Sequence, residues 1–590
     1  MKVGKWSAFL LPIFALINPT NAPSAPTNSW TKPTSGYWDE PFWSLGELPS
    51  IFQGAIMFTN SGFKALAIGS GTTATNASSL TIQNLIVSAP AGSSNQLLLN
   101  YPGQMVSFGI QSNFVVGPFA SLVSYFSASH AGALLLRGPA SASFSEQSFA
   151  FFANIFLGDS GSAGFSVSNA SISAGTLTMG RPLIQIPGGS GNFLLAGGSL
   201  QTVTINLNRG TFTQTGGTNF GPTINVPSAG DTDLAEYNLS DGVLVSQQVT
   251  LGGFPSGTFN QSGGLHTNSG SMTLWGFDRS SSHTVWGRYN LDGGRLFSQQ
   301  ILINGGSFNQ TGGTNRIQEV LITDDGGFSI TGGSLSISNV SVLSDDSRGF
   351  YSSFLQSGGT SSVQRFVVAQ SGSFALHAGT FSASNIIVGV SNAVNPQAPF
   401  RAIFAIQGGV ITNPGTFLMF GGDVAVRGQV RLGRLDIAGG TSSLGFQAAG
   451  TVVRFLDSHL EVLGGQGTVS ILSWNGSTNG GGSTQLYVGT TAQGLTVAQL
   501  ARIRFVNPQG LPTGTYPARI LTTGEVVPGP RPIVNFTKLS NAIVLSWSGN
   551  YQLLTTTNII LPFIPIVGAT SPYTNLFTDA QRFFELGSPQ

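Results

Sequence analysis

Apolar and polar residues alternate in short bursts along this chain, and the bursts keep ending on a glycine pair. Between Phe193 and Gly409 the phrase reads FLLAGGS at Phe193, FTQTGGT at Phe212, FNQSGGL at Phe259, FNQTGGT at Phe308 and FSITGGS at Phe328. It continues as FLQSGGT at Phe354, FALHAGT at Phe374 and FAIQGGV at Phe404, with Tyr versions YNLSDGV at Tyr237 and YNLDGGR at Tyr289. Side chains two apart share a strand face, so Phe308 and Gln310 point one way and Asn309 and Thr311 the other. The glycines that follow mark a turn that needs positive φ, or a backbone approach too close for a Cβ. A second strand rich in β-branched residues often precedes the phrase: VTL at Val249, ILI at Ile301, VLI at Val320, FVV at Phe366 and IIV at Ile386. Each unit therefore reads as two or three strands of roughly 4–6 residues, with no helix-length pattern.

The aromatic anchors fall 19, 25, 22, 30, 19, 20, 26, 20 and 30 residues apart. A period of roughly 20–30 residues marks a solenoid, because such a unit cannot bury its apolar face alone. Coiled so that each strand pairs with its equivalent one turn on, the rungs sit about 4.8 Å apart and the Phe anchors form an internal ladder. The expected fold is all-β: a right-handed parallel β-helix with N- and C-terminal caps and a small C-terminal β-sandwich-like module. A propeller, with blades of about 40 residues or more, fits the spacing less well. The stretch YNLSDGVLVSQQVTLGGFPSGTFNQSGG from Tyr237 recurs as YNLDGGRLFSQQILINGGSFNQTGG from Tyr289, so the unit is duplicated beyond its punctuation.

Composition narrows the class. Only 8% of the 590 residues are charged, against about 25% in ordinary domains, so Ser, Thr, Asn, Gln and Gly must make the surface. With 42 Phe and 41% hydrophobic residues, the chain has what disordered segments lack. A net charge of +1 argues against a nucleic-acid partner, which calls for a basic patch. The absence of Cys removes thiol catalysis, disulfides and Cys-ligated zinc. Lys2 and Lys5, the apolar run Ser7 to Ile17, and the small residues of Ala22-Pro23-Ser24 match a secretory signal peptide over 1–24. No later stretch has the roughly 20 apolar residues a membrane helix takes; Ile559 to Val567 is short and interrupted by Pro562 and Pro565.

In chain order, 25–54 is a Trp- and Pro-rich segment whose GYWDEPFW is expected to plug the first rung, since a solenoid end exposes strand edges; stacking on sugars is the alternative for its Trp30, Trp38 and Trp43. Residues 55–451 are the repeats, irregular at first: ALAIG at Ala65, LLLN at Leu97, NFVVG at Asn113, ALLLRG at Ala133, GFSVSNASI at Gly164. Residues 452–530 read as the C-terminal cap with one short helix in LTVAQLARIRF, where Thr496 can cap and Leu495, Leu500 and Ile503 fall near helical spacing. Residues 531–590 form the small β module.

LSWNGSTNGGGSTQLYVGTTAQGLTVAQLARIRFVNPQGLPTGTYPARILTTGEVVP, from Leu472 to Pro528, resembles the closing segment of secreted autotransporter-like β-strand-repeat proteins of Gram-negative bacteria, and SLTIQNLIVSAPAGSSNQLLLN from Ser79 resembles their first rungs. The resemblance implies a surface-exposed or secreted solenoid and brings no catalytic residues. True autotransporters end in a membrane barrel; only about 60 residues follow Pro528, too few for many strands of about 9–11 residues each. The terminal LSW…YQL…SPYT…RFFEL pattern is similar to small modules that end many secreted bacterial proteins, which implies sorting or attachment.

Candidate chemistry is sparse. Glycoside hydrolysis wants two carboxylates flanking the bond, and the chain has 23 Asp plus Glu in all. The clusters are Asp231, Asp233 and Glu236; Asp324 and Asp325; and Asp345 and Asp346, the last two pairs 21 residues apart, or one rung. Stacked at one turn, Asp324, Asp325, Asp345 and Asp346 would offer the oxygen ligands calcium takes; otherwise they are turn residues spread into water. His130, His266, His283, His377 and His459 show no metal-ligand spacing, and NGGGS lacks the Lys and helix of a phosphate loop. The expectation is an exported, non-catalytic, monomeric solenoid outside a bacterial envelope, acting in adhesion, matrix contact or binding of a surface glycan. A polysaccharide lyase or hydrolase and a passive spacer are the alternatives.

Overall fold

A computed structural model describes residues 25–101, 107–125, 127–158, 161–180, 189–226, 235–252, 256–276, 286–344, 351–389, 401–461, 464–531, 533–548, 551–578 and 581–587. The expected signal peptide at 1–24 lies outside them, as do Asp231, Asp233, His283, Asp345 and Asp346. The protein is all-β, with 61% strand and 3% helix, and its long ladders are parallel. It divides into two compact units, Met1–Gly180 with Pro187–Asn192, and Arg181–Ile186 with Phe193–Gln590.

In the first unit the ladder starts early. Thr27–Ser29 runs parallel to Ala55–Phe58, and Gly36–Tyr37 to Phe63–Gly69. Trp30, Trp38 and Trp43 are 2, 0 and 3% exposed and meet edge to face at 5.3 Å (Trp30–Trp43) and 5.0 Å (Trp38–Trp43). Their rings are spent in the core, which leaves none free for a sugar. From Ser94 the rungs become regular: Leu97, Leu122, Ala142 and Phe165 lie in register and buried on successive strands. The irregular strands expected at Ala65, Leu97, Asn113, Ala133 and Gly164 are all formed. A six-residue helix, Ser70–Thr75, interrupts them; its sequence SGTTAT has no apolar stripe to announce it.

The rungs of the second unit from Phe259 to Phe374 share one plan. A short strand carries the aromatic anchor, as in Gly257–Gln261, Gly287–Leu291, Ser307–Gln310 and Gly327–Ile330. After the glycine corner comes a strand of nine to eleven residues, as in Leu265–Trp275, Arg295–Asn304 and Ser334–Val342. Sequence periodicity suggested only the second half of this long strand. Its alternation breaks where two adjacent residues such as Gln318 and Glu319 both face out, so one continuous strand bends to form two sides of the coil. The anchors stack: from Phe193 to Phe354, ring centroids are 4.5 to 5.1 Å apart and planes within 13°. Phe259, Phe308 and Phe328, far apart in sequence, lie in one column, which then runs on from Phe404 through Val424, Leu444 and Ile471 to Phe505.

The uneven anchor spacing has one main cause. At the glycine corner the gap between strands is constant, Gln261 to Leu265, Gln310 to Thr314, Ile406 to Val410. At the corner after the long strand it varies, from Thr323–Gly327 in a short rung to Val388–Ile403 in a long one. Nearly all extra length is taken up at that corner; the Phe259 and Phe404 rungs each add one residue at the bend between the two outer sides, after Asn268 in the first and between Val410 and Phe417 in the second.

The parallel ladder ends at Ile503–Val506, which pairs antiparallel with Thr515–Ile520, itself antiparallel to Val526–Pro528. The helix expected here is one turn, Val497–Leu500, closed by a reciprocal Thr496–Gln499 capping box. Ile503 belongs to the strand and not to the helix, because its partner Val469 claims it for the core. Beyond, residues 533–587 make two three-stranded antiparallel sheets around Leu545, Trp547 and Leu553. Among the described residues no helix is long and apolar enough to cross a membrane.

Candidate functional site

The interior of the second unit carries an unexpected amount of polar chemistry. Gln214, Gln261, Gln310 and Gln356 follow the anchor by two in alternate rungs and are at most 1% exposed; Leu239, Leu291, Ile330 and Leu376 fill the rungs between. Each Gln amide donates to backbone carbonyls of the glycine corner or of the next rung: Gln261 Nε2 reaches Gly263 O at 3.2 Å and Arg295 O at 2.9 Å. Five residues later in the same rungs stand Asn219, His266, Asn315 and Ser361, again buried and again alternating with Leu244, Leu296 and Leu335.

Two tyrosines join these groups. Tyr237 Oη donates to Gln214 Oε1 (2.9 Å) and accepts from Asn219 Nδ2 (2.8 Å). Tyr289 Oη donates to Gln261 Oε1 (2.6 Å) and lies 3.0 Å from His266 Nδ1. His266 Nε2 is 2.9 Å from Ser246 Oγ, which accepts from Asn268 Nδ2 at 3.0 Å. With the proton assigned to Nδ1, every member is both donor and acceptor in one direction. Burial holds His266 neutral, its pKa pushed down to about 3, and pushes both tyrosines up. The Ser246–His266 contact has the spacing of a nucleophile and its base. Both residues are 0% exposed, so no substrate reaches them, and the network belongs to the core.

The first half of the long strands carries two outward columns of side chains in register. One column runs Thr314, Ser334, Thr360, Thr380, Val410; the next runs Arg316, Ser336, Ser362, Ser382, Thr412. Upstream the same columns hold Val243, Leu265 and Arg295, and Phe220, Val245, Thr267 and Phe297. Phe220 is 46% and Phe297 37% exposed. These two columns carry no carboxylate. Strand geometry turns both columns outward, and rung stacking repeats them at about 4.8 Å. The outcome is a sheet of hydroxyls, bordered by guanidiniums and two open aromatic rings. In later rungs Arg431, Arg454 and Tyr487 also face out in register, with the Arg454 guanidinium 3.9 Å over the Tyr487 ring.

The residues singled out for calcium are not assembled into a site by the described part. Asp324 and Asp325 are half-buried in the short corner between Thr323 and Gly327, with φ of 52° and 69°, a left-handed backbone that Asp tolerates; Asp345 and Asp346 lie outside the described residues. Among the described residues no three His, Cys, Asp or Glu come together as metal ligands. The glycine-rich NGGGS loop grips an anion of its own: Gly481 N donates to both oxygens of the buried Glu525 carboxylate, at 3.0 and 2.8 Å. Sequence reasoning missed the alternating polar core, although the spacing FNQ…H and FNQ…N was visible in the text of the repeats.

Comparison of the chain with models of known protein families and with characterised proteins finds no match.

Proposed function

We propose that this chain is an exported, non-catalytic, right-handed parallel β-helix, related to the autotransporter-like repeat proteins, that stands at the cell surface or is secreted and holds polysaccharide along one side. The strand–coil–parallel strand path favours the right hand, as such crossovers do in about 98% of cases. The buried Trp30, Trp38 and Trp43 of the first unit and the antiparallel Thr515–Ile520 and Val526–Pro528 of the second support caps that cover ladder edges. A surface with few charges is suited to adhesion or matrix contact through hydrogen bonds in place of ion pairs.

One observation carries the glycan reading: the paired outward columns from Thr314 and Arg316 to Val410 and Thr412, hydroxyl after hydroxyl with no carboxylate between. Hydroxyls both donate and accept, and guanidiniums donate in a fixed fork. A polysaccharide lying along the coil meets the same set of partners at every rung, with Phe297 as a stacking platform. The test is a glycan array probed with the protein and with Ser336→Glu and Ser362→Glu. Retention of a defined glycan class, lost in both variants and kept in Ser373→Glu on the short-strand side, is the expected result. An array with no retained glycan, or retention indifferent to these substitutions, ends the proposal.

A further inference from the structure

The outward hydroxyl columns are bordered at both ends by arginines that the fold leaves uncompensated. Upstream, Arg295 precedes Thr314 in one column and Arg316 follows Phe297 in the other. Downstream, strand Val410–Thr412 lies against Gln429–Ile437, where Arg431 stands directly opposite Arg454 of the next rung, and Arg454 opposite Tyr487. All four arginines are exposed. Among the described residues none of the four has a carboxylate in ion-pair range. Arginines of the same rungs that lie outside the columns do: Arg401 meets Asp423 at 3.1 Å and Arg434 meets Glu461 at 3.7 Å. Beyond Tyr487 the next carboxylate is Glu525, which is buried and already accepts from Gly481 N.

Like charges directly opposite on paired strands destabilise a sheet, and successive rungs are only about 4.8 Å apart. Nothing in the packing asks for arginine at 431 and 454, since Ser, Thr and Tyr fill the same outward column elsewhere. The Tyr487 ring, 3.9 Å from the Arg454 guanidinium, attracts a cation and fixes the side chain in place without cancelling its charge. A neutral sugar gains little from this pair that a hydroxyl could not supply. A carboxylate or sulfate group gains two planar forks of donors, the geometry in which arginine binds such anions most strongly. We propose that the glycan held along these columns is acidic, a polymer bearing carboxylate or sulfate groups, and that Arg431 and Arg454 together take one of those groups beside Tyr487. The proposal rests on the glycan reading and narrows it to a chemical class. From that anchor the polymer follows the hydroxyls of Thr412, Ser382, Ser362 and Ser336 to Arg316, along columns whose lack of carboxylates spares it like-charge repulsion.

The experiment measures binding of the full chain to immobilised polygalacturonate and dextran sulfate, with fully methyl-esterified polygalacturonate and dextran as their uncharged counterparts. The two acidic arms separate a carboxylate from a sulfate as the group taken. The expected result is binding to at least one acidic polymer about ten-fold tighter than to its counterpart, weakening between about 0.15 M and about 1 M NaCl as exposed charges are screened. Arg431→Gln and Arg454→Gln should each weaken it about five-fold, and Arg431→Lys less, because it keeps the charge and loses the fork. Arg288→Gln, on the outer face of the short strands, should have no effect. Neither glutamine variant should melt below the unaltered protein, since each removes a like-charge contact. Three outcomes overturn the proposal: acidic polymers bound no better than uncharged ones, binding indifferent to both arginines, or an equal loss in Arg288→Gln. If an uncharged glycan is retained and released by Ser336→Glu and Ser362→Glu but not by Arg431→Gln, the columns hold a glycan and only its acidity is refuted. Acidic binding that needs both arginines yet ignores the serine variants upholds the anion site and removes the hydroxyl columns from it.

Discussion

Tyr289 and Phe328 occupy the same place in successive polar-then-apolar rung pairs and differ by one oxygen. The Tyr289 hydroxyl ties Gln261 to His266. Above Gln310 and Asn315 stands Phe328, and Gln310 Oε1 with both amide atoms of Asn315 has no partner among the described residues. A buried polar atom left unmet costs about 1–3 kcal/mol. Phe328→Tyr should place a hydroxyl between the pair and raise stability by roughly 1 kcal/mol, read as a higher midpoint in denaturant at unchanged slope. A lower midpoint would mean that the rings have no room for the oxygen. His266 makes a prediction of opposite sign. Its folded pKa, about 3, lies below the unfolded value near 6.5, so the unfolded chain binds the extra proton. Stability is then full above pH 6.5 and falls as the pH drops from there toward 3, by roughly 1 kcal/mol per pH unit. His266→Asn, the residue found at Asn219 and Asn315 in the same column, should flatten that part of a pH–stability profile.

At the scale of the element, the glycine pair divides its labour. The second glycine is present in all ten phrases and has positive φ throughout, as at Gly264, Gly294, Gly313 and Gly333. The first gives way to Asp241 and Ala378. Conformation alone does not explain the invariance. A Cβ on Gly294 would lie 2.4 Å from the Gly263 carbonyl oxygen of the rung before, whereas one on Gly428, with φ of +84°, would meet nothing within 4 Å. Gly428→Ala should therefore cost the roughly 1–2 kcal/mol of a left-handed alanine, and Gly294→Ala clearly more, in a thermal melt of each. Equal losses would show that the neighbouring rung yields. The amide ladder on the other side of the short strands, Asn238, Asn260, Asn290 and Asn309 linked at 2.8 to 3.0 Å, was implicit in the repeated N of YNL and FNQ. The buried Gln column two residues away was not, because nothing in one phrase says that its neighbour has Leu.

For the molecule as a whole, the repeat that matters is the pair of rungs. Polar interiors at Gln214, Gln261, Gln310 and Gln356 alternate with apolar ones, and the sequence duplication beginning at Tyr237 and Tyr289 has that double length. Excising residues 259–307 removes one pair and keeps the alternation. Excising residues 289–307 removes one rung, sets Gln261 and His266 directly against Gln310 and Asn315, and deletes the Tyr289 hydroxyl. The double deletion should melt within a few degrees of the full chain and the single one well below it, though it removes fewer residues. A single deletion that is the more stable of the two would reduce the alternation to coincidence.

Local chemistry was enough to specify the strand–glycine unit, its period and the stacking of Phe259, Phe308 and Phe328, because each follows from side-chain alternation, positive φ and the need of one unit to cover the next. Only the tertiary structure decided which neighbours those units meet. It joined Ser246, His266 and Tyr289 inside the coil, turned Thr360 and Ser362 into parts of outward columns, made Ile503 a strand residue and set Arg431 against Arg454. Each of these depends on contact between residues about one rung or more apart, and such contacts exist only once the chain has coiled.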